Sequence, residues 1–121
     1  MAVTDSNNKG LVRLKNAFRF SWQGFCAAYK HEEAFRQEVW GLLLAIPLAL
    51  LLTESGLERA LLIGSVLLVM VVELLNSALE AVVDRIGSDR HELSGRAKDM
   101  GSAAVLLAIT NALLIWVLIL F

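Results

Sequence analysis

The chain has 121 residues, 57% apolar and 19% charged, with a formal net charge of -1 and a mean hydropathy of +0.63. This is one domain's length, too short for the nucleotide-binding sheet of a soluble kinase or dehydrogenase, and no run alternates as a strand does. Without net basic charge there is no footprint for nucleic acid. Residues 39–53, 60–72 and 100–121 carry no charge. Only the last alone reaches the roughly 20 apolar residues that cross a bilayer, so the other two must recruit their flanks.

Residues 1–8 are polar, include the helix-starting Thr4, Asp5 and Ser6, and lack the apolar run of a signal peptide. Leu11, Leu14, Phe18, Trp22, Phe25 and Tyr29 then recur at helical spacing, with Lys9, Arg13, Lys15 and Arg19 off that stripe. The pattern predicts an amphipathic helix over about 6–30 that lies in the membrane surface. A first span is predicted over about 34–53, with Pro47 tolerated inside it. A polar turn at 54–58 leads to a second span over about 59–84. Residues 85–97 form a polar loop, and a third span runs over about 98–121 with Ser94 as a plausible cap. Ala104, Ala108 and Ala112 give this last helix a small-residue stripe for close packing. The expected fold is therefore an all-α membrane protein with three transmembrane helices behind a surface helix. Lys and Arg crowd before the first span and in the 85–97 loop, whereas the first connection offers only Arg59. That bias places the N-terminus and the loop in the cytoplasm and the C-terminus on the periplasmic side. The single cysteine, Cys26, cannot form an internal disulfide.

At 100° per residue, Glu73, Asn76, Ser77, Glu80 and Asp84 project within about 100° of one another. An acid inside a span is costly and usually marks a functional path. Asp84 and Glu80 lie nearest the polar loop, where a carboxylate can meet water and Mg²⁺. Glu73, about 16 Å deeper than Asp84, is placed to accept a hydroxyl proton. Arg90, His91, Arg96 and Lys98 cluster where the third span begins, as phosphate recognition requires. There is no P-loop, zinc array or nucleophile elbow.

The segment ELLNSALEAVVDRIGSDRHELSGRAKDMGSAAVL (73–106), with SWQG (21–24) and AFRQE (34–38), resembles the signature of the bacterial integral-membrane diacylglycerol kinases over nearly the whole chain. The resemblance implies ATP-dependent phosphorylation of diacylglycerol to phosphatidic acid at the cytoplasmic face of the inner membrane. The enzyme would be a homotrimer with sites shared between subunits. It implies that Glu73 is the general base, that Asn76 sits by the transferred phosphate, and that Glu32 and Glu80 hold Mg²⁺ on ATP. Nucleotide contacts would come from Arg13, Phe20, Asp89, Arg90, His91, Lys98 and Asp99. The lipid side would comprise Arg13, Ala17, Trp22, Phe35, Arg36, Gln37, Glu38, Arg59, Glu73, Ser102 and Trp116. Phe20 and Asp89-Arg90 depart from that pattern, which has tyrosine and Glu-Tyr at these places. Two rivals stay open. An undecaprenol kinase would share the fold, and a small proton-coupled exporter would use a lone intramembrane glutamate but no acidic and basic loop.

Overall fold

The computed structural model describes residues 9–87, 89 and 91–121, which form four helices. In chain order these are α1 (Gly10–His31), α2 (Glu33–Leu52), α3 (Gly56–Ile86) and α4 (Glu92–Leu120). There is no strand among the described residues. The last three helices are long and apolar enough to cross a membrane. At 1.5 Å per residue α2 is about 30 Å long and α3 about 46 Å. Because the hydrocarbon core is about 30 Å thick, α3 projects beyond it.

The helix ends differ from the sequence expectation, for local reasons. The start expected for the first helix, near Ser6, lies outside the described residues. Gly10 opens α1 with φ +57, a left-handed conformation that glycine adopts without strain. Helix α3 begins at Gly56 because the Ser55 hydroxyl accepts the Glu58 N–H at 3.4 Å. Helix α4 begins at Glu92, six residues before the expected start, because His91 Nδ1 accepts the Leu93 N–H at 3.1 Å. Ser94 therefore lies inside the helix, and the long polar loop contracts to residues 87–91.

Only Glu32 separates α1 from α2, in an extended conformation (φ -116, ψ 108). That break deprives the last carbonyls of α1 of their helical donors. Arg36 replaces them, donating Nη1 to the carbonyls of Tyr29 at 2.8 Å and Lys30 at 3.1 Å. The C-terminus of α2 is closed in the same manner by Arg59 of α3, whose Nη2 donates to Leu50 O at 2.8 Å and Thr53 O at 2.7 Å. A cation at a helix C-terminus also meets the negative end of the dipole. Within α2 the helix continues through Pro47.

Helix α3 is the centre of the bundle, packed most extensively against α4 and next against α2. The buried positions of α3 are Leu62, Ser65, Val69 and Glu73, one stripe about 80° wide. Ala45 and Ala49 of α2 and Ala108 of α4 are buried, and residues this small allow helices to approach closely. Hydroxyls are satisfied within their own helices: Thr53 donates to Ala49 O at 2.7 Å and Ser65 to Leu62 O at 2.9 Å. Leu62 O also accepts Trp116 Nε1–H at 3.1 Å, tying the end of α4 to the beginning of α3. Leu43, Leu44, Leu51, Leu106, Leu107 and Leu118 face outward, as suits helices solvated by lipid tails.

Replacing Arg59 with Met leaves two α2 carbonyls without their charged donor. The expected loss is about 1.5–3 kcal/mol, the range for hydrogen bonds to charged groups. It should appear as a lower thermal midpoint by circular dichroism in detergent micelles.

Candidate functional site

The stripe that packs α3 changes character along its length. Its first half contributes Leu62, Ser65 and Val69, and the same side then presents Glu73, Asn76, Glu80 and Asp84. Glu73 is only 8% exposed, Asn76, Ser77 and Glu80 are half-buried, and Asp84 is exposed. Polarity and access to water therefore increase together toward the end of the helix. Glu38 of α2 is near enough to Glu73 for the two carboxyls to influence each other, and Glu38 Oε1 is enclosed without a hydrogen-bond partner. Two facing carboxyls with unused acceptor capacity can receive a hydroxyl donor between them.

Concave surfaces flank this stripe. A groove of about 570 Å³ runs between the end of α1 and α3, lined by Ser21, Phe25, Ala28, Glu32, Leu74, Ser77 and Ala81 among others. An apolar groove of about 480 Å³ lies between Trp22, Phe25, Tyr29, Phe35, Val39 and Met70. At the end of α3 a polar cleft of about 640 Å³ is bounded by Asp84, Asp89, His91, Glu92, Ser94 and Lys98, with Val83, Gly87 and Gly95. There Lys98 Nζ donates to Asp84 Oδ1 at 2.7 Å. A second ion pair among the described residues, Arg96 to Glu92 at 3.4 Å, is exposed and lies within α4.

The fold thus brings several expected residues together. Asp89, His91 and Lys98 share one cleft, and Trp22 and Phe35 share one groove. Glu73 and Glu38 are neighbours. Asp99, Ser102 and Gln37 are exposed beside these elements. Arg90 lies outside the described residues. Other residues are not gathered within one chain. Arg13 and Ala17 are exposed on α1, with Arg13 about 27 Å along the helix from His31. Phe20 is half-buried, and the Arg19 guanidinium stands 5.2 Å from its ring centroid. Arg59 lies about 21 Å along α3 from Glu73, and Trp116 about 21 Å along α4 from Ser102. The hydrogen bonds of Arg59 and Trp116 hold helix ends instead. Arg36 likewise caps α1, a role hidden in the sequence, which sets a boundary between 30 and 34 but does not show which side chain closes it.

Carboxylates are the right donors for Mg²⁺, which takes one or two of them together with substrate phosphates and water. Glu32 and Glu80 are both half-buried, and Glu32 lines the groove against α3, so the donor chemistry fits. No group of three or more His, Cys, Asp or Glu side chains that could hold a metal occurs among the described residues. An ion held by this pair would take its remaining ligands from phosphate and water.

Comparison with known proteins gives a consistent result. The family described as Prokaryotic diacylglycerol kinase matches residues 19–120. The diacylglycerol kinase of Escherichia coli (strain K12) is 56% identical over 116 residues, covering 96% of this chain and 95% of that protein. The diacylglycerol kinase of Haemophilus influenzae is 54% identical over 112 residues, covering 93% and 95%. That of Pseudomonas aeruginosa is 52% identical over 111 residues, covering 92% and 90%.

Because the Lys98–Asp84 pair is largely exposed, it contributes little to stability. Asp84→Asn is expected to leave the thermal transition unshifted by circular dichroism, even though it removes a contact between α3 and α4.

Proposed function

The chain belongs to the prokaryotic diacylglycerol kinase family and is accordingly a kinase transferring phosphate to an alcohol; we propose that it performs this reaction at the polar end of the α3 stripe. The substrates are diacylglycerol and MgATP and the products phosphatidic acid and ADP. One observation carries this placement: Glu73 is buried where α3 changes from apolar to acidic, between an apolar groove and a polar cleft.

In the proposed mechanism the acyl chains occupy the apolar side near Trp22 and Phe35, and the glycerol hydroxyl reaches Glu73 and Glu38. The hydroxyl oxygen attacks the γ-phosphorus of ATP, its proton passes to the Glu73 carboxylate, and the bond to the ADP oxygen breaks. Phosphoryl transfer needs chiefly positioning and charge neutralisation. From the polar cleft Lys98 supplies positive charge and His91 its Nε2–H to the phosphates, and Asp89, Arg90 and Asp99 complete the proposed nucleotide contacts. Asn76 donates to the transferred phosphoryl group. Glu32 and Glu80 would hold Mg²⁺, which when bound neutralises phosphate charge. Displacing Asp84 from Lys98 frees that ammonium for nucleotide.

The three spans make this a bacterial membrane protein, and the Lys and Arg bias supports an inner-membrane orientation with a cytoplasmic N-terminus and loop and a periplasmic C-terminus. The exposed aromatic face of α1 supports its lying in the membrane surface. Arg13, Ala17, Phe20, Arg59 and Trp116 stand apart from the acid face within one chain, which supports a homotrimer whose sites combine residues of two subunits. Family membership sets aside the exporter reading.

The deciding assay offers purified protein in mixed micelles diacylglycerol and undecaprenol side by side with MgATP and measures phosphate incorporation. Preferential labelling of diacylglycerol is expected, and labelling of neither lipid would refute the assignment. Glu73→Gln should abolish turnover while MgATP binding, followed by calorimetry, stays nearly intact; comparable turnover would remove Glu73 from the base role. Glu80→Gln should raise the Mg²⁺ concentration needed for half-maximal rate, and an unchanged dependence would count against the metal pair.

A further inference from the structure

Gly101 differs from the other glycines inside the helices. A Cβ at Gly24, Gly41, Gly64 or Gly95 would meet nothing within 4 Å. At Gly101 it would collide with Asn76 Oδ1 and stand 3.2 Å from Asn76 Cγ and 3.4 Å from Leu79 Cδ2. Its φ is not positive, so space rather than backbone conformation requires glycine here. Val72, Leu75 and Ala104 complete a small apolar recess around this contact. Asn76 Oδ1 is enclosed there with no hydrogen-bond partner, so no polar group holds that oxygen in place. What holds it is the bare backbone of α4.

We propose that Gly101 is a positioning residue for phosphoryl transfer, leaving a gap in α4 that seats the Asn76 amide oxygen and so directs the amide. This rests on the reading of Asn76 as a contact of the transferred phosphate. A carboxamide has an acceptor end and a donor end. With the oxygen seated in the α3–α4 seam, the NH₂ end is left to donate to a phosphoryl oxygen. A methyl group at residue 101 displaces the far end of one side chain rather than backbone, so the bundle tolerates it while the amide turns away.

The test is a double-mutant cycle of Gly101→Ala and Asn76→Ala, assayed in mixed micelles for kcat and for both KM values. It is combined with the ¹⁵N side-chain amide resonance of Asn76, assigned by its loss in Asn76→Ala. Gly101→Ala should shift that resonance and lower kcat by about 10²-fold, the scale for losing one donor to a transition state, with both KM values nearly unchanged. In the Asn76→Ala background it should cost almost nothing further, because coupled residues are not additive. An unmoved resonance, or the same fold loss repeated in that background, overturns the proposal. If Gly101→Ala is unstable, trimming Asn76 relieves the collision. The double variant must then be as stable as Asn76→Ala, and one as unstable as Gly101→Ala also overturns it. Failure of the underlying reading has a different signature: Asn76→Ala alone would keep full turnover, and the proposal falls with it.

Discussion

Burying an acid at the centre of a membrane helix costs about 2.5–3.5 kcal/mol or more, and the bundle is organised around the place where Glu73 incurs that cost. Residues 60–72, which precede it, carry no charge, so α3 enters as an ordinary apolar span. The change to acids comes on the side already committed to helix contacts. Glu73 is therefore buried within the bundle, with the Glu38 carboxyl of α2 nearby. The sequential opening of Asn76, Glu80 and Asp84 toward the helix end follows from α3 being longer than the apolar core.

The surroundings divide by polarity on the same principle. On the α1 and α2 side the grooves are predominantly apolar and contain aromatic residues, suited to acyl chains. On the side where α3 passes into α4 the cleft is lined by polar and charged side chains, Asp84, Asp89, Glu92 and Lys98 among them. A lipid and a nucleotide have opposite solvation needs, and the proposed site between these surfaces would meet both. At the corner that carries Glu32, Arg36 satisfies carbonyls the break exposes.

Much of this was readable from residue order. The periodicity of charge-free runs placed the helices, and the spacing of Glu73, Asn76, Glu80 and Asp84 placed the acid face, because both depend only on helical geometry. The ends were less legible. The α4 start depends on a His91 cap, which competes with the more familiar Ser94, and the α1–α2 corner has neither glycine nor proline to announce it. Arg36 and Arg59 read equally as ligands of a lipid headgroup, since an arginine capping a carbonyl from another helix has no local pattern.

The sequence by itself determined the class, the number of spans and the face of α3 that carries the acids, because hydropathy and helical period are local properties of the chain. Only the tertiary structure decided that Glu38 confronts Glu73, that two arginines close helix ends, and that Asn76 rests against Gly101. Those facts join residues distant along the chain or on different helices, and helix rotation and approach are set by packing, which no single segment encodes.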